Sequence, residues 1–145
     1  MTDPLQDNAT DEMLLDAAVA AAEDAVAELA NSFVEWVGSD LARAREALTA
    51  AQAAPDQAEA ALAEIFDVYH NVKGQGGTFG YDLLSMVANV ACDLLRDAPS
   101  AGNPPFAVLA AHMTAAEFII ARDVKGDGGE QGHRLMARLA ELRAA

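Results

Sequence analysis

The sequence predicts an all-α protein, an antiparallel four-helix bundle with extra N-terminal and C-terminal helices, and three observations carry that prediction. Alanine dominates an apolar fraction of 52%, while aromatic residues stand at 6% and β-branched runs are scarce. That balance favours helix over strand. Apolar residues recur at helical spacing along most of the chain, and glycine- or proline-rich punctuation separates the periodic stretches. A length of 145 residues suits a single domain with a real core. Its expected parts are an extra helix at about 11–32, a bundle core at 33–122, and a flexible loop with a C-terminal helix at 123–145.

Six helical stretches are expected in order. The first, from about Asp11 to Ala30, is mostly alanine, with Leu14, Leu15, Val19, Val26 and Leu29 as larger anchors. Ser32 with Glu35 three residues on reads as a capping box that restarts the helix. The second stretch, Phe33 to Ala53, places Phe33, Val37, Leu41, Ala44 and Leu48 on one face. A break at Gly38, with Ser39 capping a shorter helix after it, is the alternative. Pro55 suits the first turn of a third helix, whose core stripe is Leu62, Ile65, Phe66 and Tyr69, with His70 on its flank. The fourth, from about Tyr81 to Arg96, carries Leu83, Leu84, Val87, Val90, Ala91, Leu94 and Leu95. A short turn before it makes it an antiparallel neighbour of the third. Pro99 to Pro105 reads as a linker; a fifth helix with Val108, Leu109, Met113, Ala116, Phe118 and Ile119 closes the core. Gly126 to Gly132 reads as a flexible connection to a last amphipathic helix bearing Leu135, Met136, Leu139 and Leu142.

The segment from Tyr69 to Gly80 places a histidine, a lysine one turn later and a run of small residues inside this apolar pattern. At about 100° per residue, His70, Gly74 and Gly77 fall within roughly 60° of one another, with Lys73 at the edge of the strip. A histidine beside bare backbone can be approached closely by a second protein, which in-line phosphoryl transfer requires. A neutral imidazole offers a nitrogen lone pair near pH 7, and an ammonium offsets the charge on the transferring phosphoryl oxygens. Asp67, one turn before His70, is the acid that helical spacing brings near; it either orients the ring or solvates the surface. Taken without its neighbours, His70 would be a structural histidine near a helix end.

His70, Lys73, Gly74 and Gly80 match the H-x-x-K-G-x5-G signature, and here the chain resembles histidine-containing phosphotransfer (HPt) domains. Thr78, Phe79 and Gly80 are similar to the variant in the phosphoacceptor domain of chemotaxis-type histidine kinases. The resemblance implies a phosphocarrier and not an enzyme: His70 accepts a phosphoryl group on Nε2 and exchanges it with the aspartate of a response-regulator receiver domain. Lys73 would stabilise its charge, and Gly74, Gln75, Gly77, Thr78, Gly80 and Asp67 would neighbour the site or dock the partner. The partners implied are a receiver domain and a hybrid or other sensor histidine kinase. No cofactor is expected on this chain; Mg²⁺ would belong to the receiver. The chemotaxis-type domains carry a glutamate on the following helix to hold the ring. The corresponding stretch here offers Asn89, Cys92 and Asp93, a departure that leans towards a stand-alone relay protein of a two-component phosphorelay. The alternative is a phosphorylation-independent adaptor that binds receiver or kinase domains through the same face.

Other chemistries find little support. A formal charge of −14 and a pI near 4.3 argue against nucleic acid or an anionic membrane surface, because both need a positive patch. Met1 to Asn8 shows no basic and apolar leader pattern, and no uncharged apolar run approaches the ~20 residues that span a bilayer. A cytoplasmic protein is expected. The lone Cys92 reads as a buried packing residue. Gly74-Gln75-Gly76 opens like a dinucleotide fingerprint, but Phe79 stands where the third glycine belongs. His70, His112 and His133 lack metal-ligand spacing, so no metal site is expected. His112 is expected to play a structural role on a helix flank, and His133 to be solvated.

Overall fold

The computed structural model describes residues 4–101 and 105–144, with side chains for 8–97 and 105–144. Five α-helices succeed one another: α1 (Pro4–Ala53), α2 (Glu59–Gly76), α3 (Asp82–Ala101), α4 (Phe106–Ala121) and α5 (Gly129–Ala144). A 3-10 turn, Pro55–Gln57, precedes α2, and no strand occurs among the described residues. No helix is long and apolar enough to cross a membrane among those residues. The chain divides into two compact units, Met1–Glu35 and Trp36–Ala145.

The expected break near residue 32 is absent, because α1 runs through it and through Gly38. No proline interrupts this stretch, and the alanines on either side supply enough helix propensity to absorb one glycine, which costs about 1 kcal/mol relative to alanine. Ser32 and Glu35 therefore lie within the helix and cap nothing. In the first unit the anchors Leu14, Leu15, Val19, Val26 and Leu29 are exposed.

The core of the second unit is built mainly from apolar stripes. Val37, Leu41, Ala44 and Leu48 of α1, Ile65, Val68 and Val72 of α2, Leu84, Val87 and Ala91 of α3, and Leu109, Met113, Ala116 and Ile119 of α4 are all buried. These positions repeat every three or four residues, so each helix turns one stripe inward. Arg45 ties α1 to α4, donating from Nε to Glu117 (2.9 Å) and from a terminal nitrogen to Thr114 (2.9 Å). Arg43 lies 3.4 Å from Glu64 of α2. Both ion pairs are substantially exposed, where such pairs contribute about 0.2–1 kcal/mol. Burial of the stripes holds the bundle; the ion pairs refine the register.

Several positions depart from the sequence expectation. Phe118, expected in the core, is 56% exposed with Arg122 over its ring, because α4 turns His112, Ala115 and Ala116 inward instead. α3 continues past Pro99 to Ala101, so residues 99–101 of the expected linker are helical, and 102–104 lie outside the described residues. Pro55 starts the 3-10 turn and α2 begins at Glu59, four residues later. In α5 only Gly132 and Leu139 are buried, with Leu135 and Met136 half-buried and Leu142 half-buried at the end of the helix.

The segment after α4 is held by backbone bonds. Val124 N–H reaches back to Ile119 (2.9 Å) around Asp123, which adopts φ 53°, a left-handed helix end that Asp tolerates better than most residues. Gly126 N–H then donates to Gly80 (2.7 Å), and Leu83 N–H donates to Gly126 (2.8 Å). The α4–α5 connection is thereby stitched to the α2–α3 turn. At the start of α5, a Cβ on Gly132 would lie 1.8 Å from the Asp127 carbonyl oxygen.

His112 lies in the core and not on a flank. It is fully buried, its Nδ1 is 2.8 Å from the Val108 carbonyl, and its Nε2 has no hydrogen-bond partner. The ring is therefore neutral with the proton on Nδ1. Burial holds its pKa below 6.5, against a smaller opposing effect of the Val108 hydrogen bond. His133 is exposed, with Nε2 3.6 Å from Asp127.

Both buried features have measurable consequences. Below about pH 6.5 the unfolded His112 takes up a proton that the folded ring resists, so its contribution to stability is present above that pH and is lost as the pH falls. Thermal melts should show an acid-side loss that is smaller in His112→Leu. Gly132→Ala should lower stability by about 1–3 kcal/mol in chemical denaturation, the range for an overpacked site.

Candidate functional site

α2 brings its last two turns to the surface with a mixed face. Val68, Tyr69 and Val72 enter the core, while His70, Asn71 and Gly74 stay exposed and Lys73 is half-buried. The helix ends at Gly76, and Gly77 keeps helical angles (φ −63°, ψ −36°) as its cap. Phe79 N–H bonds to Gln75 (3.3 Å), Gly80 N–H to Gly77 (3.2 Å) and Tyr81 N–H to Gly76 (2.8 Å), closing the turn. Gly80 adopts φ 85°, a conformation that glycine takes without steric cost.

The glycines do different things. A Cβ on Gly74 would meet nothing within 4 Å, so this position is open beside His70. Gly77 is exposed as well, with its nearest neighbours 3.8 Å or more from an added Cβ. Gly76 is buried against α3: a Cβ there would lie 2.5 Å from Ser85 Oγ and 3.1 Å from the Tyr81 carbonyl oxygen. Ser85 Oγ–H in turn donates to the Lys73 carbonyl at 2.9 Å. That bond fastens the last turn of α2 to α3.

The His70 imidazole stacks on Phe66, one turn earlier, with ring centroids 5.7 Å apart and planes 12° from parallel. The Arg96 guanidinium from α3 lies over the Phe66 ring, 5.3 Å from its centroid. A stacked ring of this kind restricts the imidazole through contact rather than through a hydrogen bond. No described residue hydrogen-bonds the His70 ring. Of the three positions considered for that task, Cys92 is fully buried, Asp93 pairs with Arg96 at 3.3 Å, and Asn89 is half-buried without a bond to the ring.

Two cations border this patch. The Lys73 ammonium has no ion-pair partner among the described residues. Burial pushes the Cys92 thiol up, and the charges of Arg96 and Lys73 oppose that rise. The second cation is Arg96, placed over the Phe66 ring that stacks on His70. Beneath the site, Tyr69 is fully buried, its hydroxyl without a hydrogen-bond partner. Burial raises its pKa strongly, Glu117 adds to the rise and Arg45 opposes it.

Behind the turn, Tyr81 donates its hydroxyl hydrogen to Asp123, and the Lys125 ammonium lies 4.0 Å from the centre of its ring. Burial and that hydrogen bond push the phenol up. Tyr81 therefore anchors the glycine turn to the α4–α5 connection. Thr78 is exposed and Gln75 half-buried. Asp67 is exposed and makes no hydrogen bond or ion pair with His70, so the structure gives it no orienting contact.

Phe66, Arg96 and Ser85 join the site although sequence reasoning did not place them there. Phe66 was legible as an i, i+4 neighbour of His70, but its place in an apolar stripe suggested burial, and it is instead half-buried. Arg96 and Ser85 sit on another helix, and nothing local links them to His70.

A model of the family described as Hpt domain matches residues 28–119. None of the curated proteins compared matches the chain, and none of the solved structures does. The match covers α2 and α3 with the whole glycine turn, and most of α4 together with the second half of α1. An all-helical bundle with an exposed histidine on its second helix agrees with it, and the chain belongs to the Hpt domain family.

Proposed function

We propose that this protein is the histidine phosphotransfer component of a phosphorelay, with His70 as the phosphoacceptor and a receiver domain as its partner. The Hpt domain is a phosphocarrier module of such relays. The observation that carries the assignment to His70 is local: an exposed imidazole stands beside the open backbone of Gly74, one turn before the Lys73 ammonium, which is unpaired among the described residues.

In the reaction, the lone pair of the neutral imidazole forms a P–N bond as the acyl phosphate P–O bond of the partner breaks. The partner aspartate leaves as a carboxylate, and the proton on the other ring nitrogen stays in place. Transfer onward reverses these changes. The phosphoryl group passes through a loose, charge-dispersed transition state, so positioning and charge compensation dominate. Phe66 limits the ring's rotation, Lys73 meets the equatorial oxygens, and Gly74 lets the partner's site close on the histidine. By family resemblance Nε2 is the reacting nitrogen, and the receiver supplies the Mg²⁺.

The test is phosphoryl transfer from a panel of phosphorylated receiver domains. A label that is acid-labile, alkali-stable and absent from His70→Gln supports this reading; binding without labelling overturns it in favour of an adaptor. Lys73→Ala should slow transfer by at least ~10-fold with unchanged helicity, because a charge next to the transition state is removed. Gly74→Gln should slow transfer by ~10-fold or more while the melting temperature holds or rises, since the space is open and glycine costs helix stability.

A further inference from the structure

We propose that Tyr81 and Asp123 are positioning residues for phosphotransfer, through which the α4–α5 connection holds the α2–α3 turn in the placement that the receiver domain docks on. The inference rests on the phosphotransfer reading and deepens it. The family match ends at residue 119, so Asp123, Lys125 and Gly126 lie outside the part of the chain that makes it an Hpt domain.

Tyr81 is clamped at both ends. Its N–H donates to the carbonyl of Gly76, the last residue of α2, at 2.8 Å, and its hydroxyl donates to Asp123. The ring between them is buried, with the Lys125 ammonium 4.0 Å from its centre and 3.8 Å from the Asp123 carboxylate. The main chain fastens the residues on either side: Gly126 N–H donates to Gly80 at 2.7 Å, and Leu83 N–H donates to Gly126 at 2.8 Å. By comparison, the bonds that the turn makes within itself, Phe79 to Gln75 and Gly80 to Gly77, are longer at 3.3 and 3.2 Å. The placement of residues 80–83 is therefore set from 123–126 as much as from the turn's own sequence.

The turn lies where the partner must pass. Gly77 shares the helix face of His70 and Gly74, and Gly77, Thr78 and Gly80 are exposed. A receiver that closes on His70 over Gly74 meets this backbone next. The brace does not touch the reacting groups: the imidazole stacks on Phe66, and Ser85 holds the Lys73 carbonyl. Loosening the brace leaves the imidazole as it is and gives the receiver a surface that must be ordered on binding, which costs affinity.

Transfer from a phosphorylated receiver at rising receiver concentration, in the full chain, gives a half-saturating concentration and a limiting rate. Labelling of His70 by phosphoramidate is followed alongside; this small donor passes its phosphoryl group to the imidazole with loss of ammonia and needs no docking surface. In Tyr81→Phe and in Asp123→Gly the half-saturating concentration should rise about 3- to 10-fold, the effect of one lost hydrogen bond. The limiting rate and the phosphoramidate rate should stay at their wild-type values. Asp123 is exposed, and glycine takes its φ of 53° without strain, so that variant removes the carboxylate and stays folded, as circular dichroism would establish. Asp123→Asn, which keeps an acceptor oxygen, should restore wild-type docking. The double variant should dock no worse than Asp123→Gly, because both substitutions cut the same bond. An unchanged half-saturating concentration in both single variants, a phosphoramidate rate that falls with docking, or an Asp123→Asn as impaired as Asp123→Gly overturns the inference. A wild-type chain that no receiver labels overturns the phosphotransfer reading itself, and this inference with it.

Discussion

The close crossing of α2 over α3 at Gly76 is the constraint on which the exposed site depends. Without a side chain at that position, Ser85 and the Tyr81 carbonyl approach the α2 backbone to distances that a Cβ would forbid. The same approach lets Ser85 hold the Lys73 carbonyl and lets Tyr81 close the turn on Gly76. Each such hydrogen bond contributes only about 1 kcal/mol net. Together with the buried stripe on the opposite face, they leave α2 one rotational setting. In that setting Tyr69 is inside and His70 is outside, although the two residues are adjacent.

Electrostatics then separates the site from the rest of the molecule. A chain of net charge −14 repels phosphate over most of its surface, so the relay chemistry needs a local exception. In the proposed function Lys73 and Arg96, on neighbouring helices, would provide it. Their roles differ: Arg96 is engaged with Phe66 and Asp93, whereas Lys73 is unpaired among the described residues. The engaged cation contributes to the shape of the patch beside the imidazole, and the unpaired one is available to an incoming anion.

The turn after α2 also does more than reverse the chain. Its backbone pairs with Gly126, and Tyr81 reaches Asp123, so the α4–α5 connection braces the edge of the site. This explains why a glycine-rich stretch that reads as flexible in sequence starts α5 within three residues of Gly126. A backbone hydrogen bond to a distant turn has no local sequence signature.

Periodicity and composition determined the helical class, the antiparallel α2–α3 pair and most of the core stripes, because burying one face of a helix leaves a repeating trace in the sequence. The His70, Lys73 and glycine pattern was legible for the same reason: its members are neighbours on one helix. Tertiary structure decided what depends on two helices at once. It made α1 continuous through Ser32 and Gly38, where local cap signals lose to uninterrupted propensity, and it turned His112 inward and Phe118 outward. It also set Arg96 over Phe66 and drew Gly76 against Ser85. Such choices depend on which faces meet when the helices pack, and a face's partner is not written in its own spacing.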